Sequence, residues 1–293
     1  MIVATGAGAA IREAGTEDDV LPFLKSKKSR KFMGIQDELA VTAAGRALGS
    51  AGLAAIDHAR GAAIGLFATV GYIPFESADI DPVLEGSLVG GEFDVAEFSR
   101  EGYLRAHPLL TFRCLPNMPA FHVSVSFGLR GPYLVTYPGP GQTYAALEEA
   151  VFALESGACE VALVLAVAHQ KNFLVEHHFA RVDHPVPADR LADAAACVVL
   201  ETASGAAARG APARGELRSV NVQYTPFSAL AATPAPAERL TGAELDPREI
   251  GPAGMLLSVA RALAPSGRAR ATLTHGLATR DGVRAESVWE VVP

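Results

Sequence analysis

Apolar positions along the chain fall into two periods. Leu39, Ala40, Ala43, Ala44, Ala47 and Leu48 follow Asp37 at helical spacing, with Gly49 and Gly52 to end the helix. Tyr144, Leu147, Ala150, Val151 and Leu154 repeat that spacing on a helix that opens after Gly139-Pro140-Gly141 and closes at Gly157. Pro119 to Phe127 reads as a helix stopped by Gly128, and Met255 to Leu263 as a shorter one. Between the helices lie strand-like runs. Met1 to Ile11 reads as a short strand broken by Gly6 and Gly8, and Ala62 to Thr69 and Tyr133 to Tyr137 as two more. Glu160 to Ala168 and Ala194 to Leu200 have almost no polar interruption, as expected when both faces of a strand are covered. Glu216 to Tyr224 alternates, and Ala271 to Leu277 and Ser287 to Val292 close the series. Gly71 to Pro119 is irregular, and the Ala/Pro/Glu-rich run Pro226 to Arg248 reads as loop. Strands alternating with helices predict an α/β fold, with helices on both faces of mixed sheet. No Pro/Ser-rich linker divides the chain, so a single domain over 1–293 is expected.

Composition narrows the classes of function. The 293 residues are 49% hydrophobic and 19% charged, enough to bury a core and unlike a disordered chain. With 25 Lys and Arg against 32 Asp and Glu, the formal charge is −7. The basic residues Lys25, Lys27, Lys28, Arg30 and Lys31 form one local cluster, yet the balance argues against nucleic acid or an anionic membrane as partner. Apolar runs such as Val161 to Ala168 fall far short of the ~20 residues of a membrane span. No basic region precedes the apolar start, so no secretory signal is expected. Cys114, Cys159 and Cys197 are too far apart for a zinc pattern or a disulfide framework, which suits the cytoplasm.

Three blocks carry a family resemblance. They are Leu115-Pro116-Asn117-Met118-Pro119-Ala120, then Phe127-Gly128-Leu129-Arg130-Gly131-Pro132, then Leu154-Glu155-Ser156-Gly157-Ala158-Cys159-Glu160-Val161-Ala162-Leu163-Val164. In this order and spacing they resemble the β-ketoacyl synthases of the thiolase superfamily. The resemblance implies a layered thiolase-like α/β fold, here with an abbreviated second half. In that family a cysteine opens the helix after the Gly-Pro strand, where the helix end lowers the thiol pKa and backbone N–H groups hold the oxyanion. That position falls on Pro140, which has no nucleophilic atom. The histidine of the family's GHxxGAAG-type stretch falls on Pro252, and an HGT-type stretch is missing. The chain thus resembles a chain length factor, the partner of a catalytic ketosynthase in type II polyketide or aryl polyene synthesis.

The resemblance then implies a heterodimer with a catalytic ketosynthase, contact with an acyl carrier protein through that complex, and no cofactor. It points to Phe112, Leu115, Met118 and Phe121, with Gln142, as candidates to line the acyl tunnel, and to Leu134, Val135, Thr136 and Tyr137 as candidates for the dimer interface. Two alternatives stay open. One is decarboxylation of malonyl carrier protein without a cysteine, using Gln142 or Thr143, with His275 as the surviving candidate histidine. The other is a purely structural pseudoenzyme.

Other motifs have plainer readings. Gly6-Ala7-Gly8 is half a dinucleotide fingerprint without its third glycine, and Gly139 to Thr143 lacks the lysine of a phosphate loop. Glu176, His177, His178, Asp183 and His184 read as a solvated loop rather than a metal site. Cys159 and Cys197 read as core residues, Cys114 as a thiol with no base to activate it, and His122 as a buried structural histidine.

Overall fold

The computed structural model describes residues 1–12, 20–181, 186–225, 239–241, 247–264, 270–279 and 282–292. In chain order its elements are β1 (Ile2–Arg12), α1 (Ile35–Ser50), α2 (His58–Ala62), β2 (Ile64–Val70), α3 (Ser77–Glu85), β3 (Leu88–Val89), β4 (Glu92–Phe93), α4 (Val95–Arg100), α5 (Leu110–Cys114), α6 (Met118–Phe127) and β5 (Tyr133–Thr136). There follow α7 (Gly141–Glu155), β6 (Val161–Ala168), α8 (Phe173–Phe179), β7 (Asp193–Thr202), α9 (Ala203–Ala208), β8 (Gly215–Tyr224), β9 (Arg239–Thr241), α10 (Pro247–Ile250), α11 (Gly254–Ala262), β10 (Ala271–Ala278) and β11 (Val283–Val291).

Strand β6 and nearly all of β7 are buried, and their alternate side chains enter different cores. Ala162, Val164, Ala166, Ala196 and Val198 join α7 and α11, whereas Leu163, Leu165, Val167, Cys197 and Val199 join α1 and α6. A period of two requires this division once helices cover both faces. Nine strands form one sheet in the order β5-β2-β6-β7-β1-β8-β11-β10-β9. Strand β2 runs parallel to β5 and β6, and every other adjacent pair is antiparallel. Only Ile2 to Ala4 of β1 reach β8. Helix α7 packs on β2 and β6 and also on β8 and β11, so it lies between two arms of one curved sheet. The result is the mixed, layered α/β fold that the sequence predicts.

Several local expectations change. Strand β1 is not broken at its glycines but runs for 11 residues, with a bulge between Ala4 and Gly6. The glycines serve packing: a Cβ on Gly6 would meet the Ala47 carbonyl at 2.5 Å, and one on Gly8 the Ala43 carbonyl at 2.4 Å. Helix α1 therefore rests directly on the strand backbone. The stretch 71–119 is not irregular either, since it holds α3, the β3–β4 hairpin, α4 and α5. The expected loop 226–248 contains β9 and the start of α10, and its remaining residues, 226–238 and 242–246, lie outside the described residues. Helix α6 does end at Gly128, whose φ of 73° is the left-handed stop that glycine permits.

Candidate functional site

The C-terminal ends of β2, β5 and β6 point the same way, and in open α/β sheets such ends gather chemistry. After β5, Tyr137-Pro138-Gly139-Pro140 turns the chain into α7. Pro140 occupies the N-cap of that helix with φ −66°, a value proline adopts without strain. Thr136 Oγ1 lies 2.8 Å from Thr69 Oγ1, which fixes the end of β5 to β2. One turn inside α7, the buried Thr143 hydroxyl donates to the Pro252 carbonyl at 2.9 Å. That bond brings together Pro140 and Pro252, the two positions singled out from the sequence. Their surroundings are tight: a Cβ on Gly141 would meet Val283 at 2.9 Å, and one on Gly251 would meet Ala168 at 2.9 Å. At this helix start neither proline supplies a nucleophile or a base. Gln142 follows on the first turn, partly buried, with its carbonyl 3.3 Å from Thr136 Oγ1.

A second polar cluster escaped the sequence reading. His169, directly after β6, is buried with Nδ1 2.8 Å from Asp193 and Nε2 2.7 Å from Glu76. Asp193 also accepts the Lys171 N–H at 2.9 Å. Burial pulls the His169 pKa down, but the Asp193 and Glu76 carboxylates outweigh it and leave the value raised. Burial raises Asp193, and His169 with two backbone N–H groups more than reverses that. The imidazole thereby ties β6, β7 and the cap of α3 together. It borders a cleft of about 420 Å³ lined by Arg12, Arg30, Gly34, Glu38, Asp79 and Arg113 among others. The sequence does hold one signal for this cluster, a His-Gln pair that breaks an apolar run at the end of a buried strand.

The remaining candidates separate by exposure. Phe112, Leu115 and Phe121 are 45%, 48% and 50% exposed, while Met118 is 6% exposed. Only Met118 of these four faces the interior of the chain. Leu134, Val135 and Thr136 are half-buried and Tyr137 is exposed, on an edge strand whose partner among the described residues is β2 alone. His275 is fully buried in β10, with Nε2 3.0 Å from Ser258 Oγ of α11, and burial lowers its pKa to about 4. His122 is buried, 3.9 Å from Asp37, with its pKa lowered by burial. The Cys114 thiol is pushed up to about 11, first by burial and then by nearby carboxylates, and burial also raises Cys159 and Cys197. His178 packs against Tyr72 and Phe179, whereas Asp183 and His184 lie outside the described residues. Among the described residues no group of three His, Cys, Asp or Glu side chains is arranged to hold a metal, and no helix is long and apolar enough to cross a membrane.

Comparison with solved structures supports the fold. The AntDE:AntF complex, a type II PKS acyl-carrier protein with its ketosynthase bound to the hexaketide, matches with a TM-score of 0.71 at 13% identity, over 99% of each chain. The ishigamide ketosynthase/chain length factor matches at 0.65 and 16% identity, over 100% of this chain and 99% of that one. A β-ketoacyl synthase from Burkholderia phymatum STM815 matches at 0.66 and 16%, over the same shares. At these identities the likeness is one of fold. No protein of curated function matches the chain. The sequence profile of the β-ketoacyl synthase N-terminal domain, however, fits residues 3–189, well over half of the chain. With the ketosynthase fold around it, that match assigns the chain to the β-ketoacyl synthase family.

Proposed function

We propose that the chain is a non-condensing ketosynthase-like subunit, a chain length factor. In this reading it pairs with a catalytic ketosynthase and shapes the acyl tunnel of a type II polyketide or polyene synthase. The observation that carries the proposal is Pro140 at the N-cap of α7, where a condensing ketosynthase needs a thiolate at the positive helix end. Pro252, bonded to the same helix through Thr143, has no imidazole to assist decarboxylation. His275 is hydrogen-bonded and sealed in the core, which disfavours the decarboxylase alternative.

A partner would complete what this chain leaves open. The edge of β5 is unpaired on one side among the described residues, and Phe112, Leu115, Phe121, Val125 and Tyr133 expose apolar area on α5, α6 and β5 and between them. Open edges and exposed apolar patches of this kind are where chains pair. Four of the five lysines, Lys25, Lys27, Lys28 and Lys31, are exposed within seven residues and offer an acidic carrier protein a positive face. Co-expression with a catalytic type II ketosynthase, followed by size-exclusion chromatography, tests the pairing. A stoichiometric complex is expected. A stable monomer in micromolar solution, unchanged by the ketosynthase, contradicts it.

A further inference from the structure

The cleft beside His169 has hydrogen-bond donors left over. Arg30 meets Glu38 at 2.8 Å, Arg113 meets Asp79 at 3.1 Å, and His169 is shared by Glu76 and Asp193, so every wall carboxylate already faces a cation. Arg12, at the end of β1, lines the same cleft and has no ion pair or hydrogen bond among the described residues. Arg113 lines it from α5, and its Nε is sealed from solvent without a partner. Arg113 spends only Nη2, on Asp79, and Arg12 spends nothing, so among the described residues two guanidinium groups present donors without partners from two walls of one cleft and call for acceptor atoms between them.

We propose that this cleft is a binding site for a small oxyanion, a phosphate or carboxylate group seated between Arg12 and Arg113. A planar guanidinium matches either group in a paired geometry that an ammonium cannot copy. The volume of about 420 Å³ holds such a group with a short organic body, at the small end of ordinary ligand pockets. The carboxylates of Glu38, Glu76 and Asp79 on the same wall keep affinity modest, roughly in the 0.1–1 mM range. The site is separate from the start of α7, because it opens beside α1 while α7 packs on the other face of the sheet.

Calorimetric titration of the purified chain with inorganic phosphate, and separately with succinate at matched ionic strength, tests the proposal. Saturable binding of at least one anion is expected, and the stronger of the two identifies the group. Arg12→Gln removes no side-chain hydrogen bond or ion pair among the described residues, keeps the melting temperature, and weakens that binding about tenfold by loss of a charge-assisted bond. Arg113→Gln weakens it further, whereas Arg218→Gln, on the exposed face of β8, leaves it unchanged. The proposal is overturned if neither anion binds saturably. It is equally overturned if Arg12→Gln binds as the natural protein does, or if Arg218→Gln weakens binding as much as Arg12→Gln.

Discussion

Replacing His169 by glutamine probes the tie between the sheet and the segment that begins at Glu76. The side chains of His169 and Asp193 are 3% and 4% exposed, so their 2.8 Å contact is buried and is an ion pair when the imidazole is protonated. Removing one member leaves Asp193 with backbone N–H partners only, at a cost of about 3–5 kcal/mol. The Glu76 side chain is 49% exposed, so its 2.7 Å contact is screened and adds little. For a chain of this size the loss corresponds to a fall of roughly 6–15 °C in melting temperature. The pH dependence has a definite sign. His169 is raised above its ordinary 6.5, so its contribution is full below that value and fades as pH rises through the folded pKa. Asp193 is lowered below its ordinary 3.8, so its contribution is full above that value and fades as pH falls through the folded pKa. Thermal unfolding followed by circular dichroism across this range should show the natural protein losing stability on both sides. His169→Gln should lose the alkaline limb. A variant whose profile merely parallels the natural one, or coincides with it, refutes the reasoning.

Three further outcomes follow from the same geometry. Thr143→Val, nearly isosteric, leaves the buried Pro252 carbonyl unmet and should cost about 1–3 kcal/mol, while Thr143→Ser restores most of it in the same melting assay. Phe112 and Phe121 are exposed on this chain and can stop a growing acyl chain only where the partner covers them, so in the reconstituted complex Phe112→Ala or Phe121→Ala should lengthen the product by one or more extensions, read by mass spectrometry. Overfilling a tunnel costs roughly 1–3 kcal/mol at the next step, so removing the ring removes the stop. Iodoacetamide at neutral pH should leave the folded chain unmodified, because all three thiols are buried and raised, and label it after unfolding in denaturant.

What the sequence made legible was governed by burial. Strands β6 and β7 announce themselves because both of their faces are apolar, and α1, α6 and α7 because one face is and glycine ends or follows the helix. Gly6 and Gly8 misled because glycine in an isolated strand reads as a break, whereas here it admits a helix backbone 35 to 45 residues away; only the tertiary contact reveals this. The segment 71–119 hid its helices because they are short and largely exposed, with no apolar stripe to mark a period. Glu76, His169 and Asp193 are separated by 93 and 24 residues, so no local pattern joins them. Pro140 and Pro252 were found by position within family motifs, and Thr143 is the residue that brings them together in space.

The central claim is that this chain pairs with a condensing enzyme without itself carrying the growing acyl group. Its most direct test is intact-protein mass spectrometry of the co-purified complex after exposure to acyl and malonyl carrier proteins. The ketosynthase subunit should gain the acyl mass while this chain keeps its own, because Pro140 offers no atom to acylate. An acyl adduct on any residue of this chain would contradict the account.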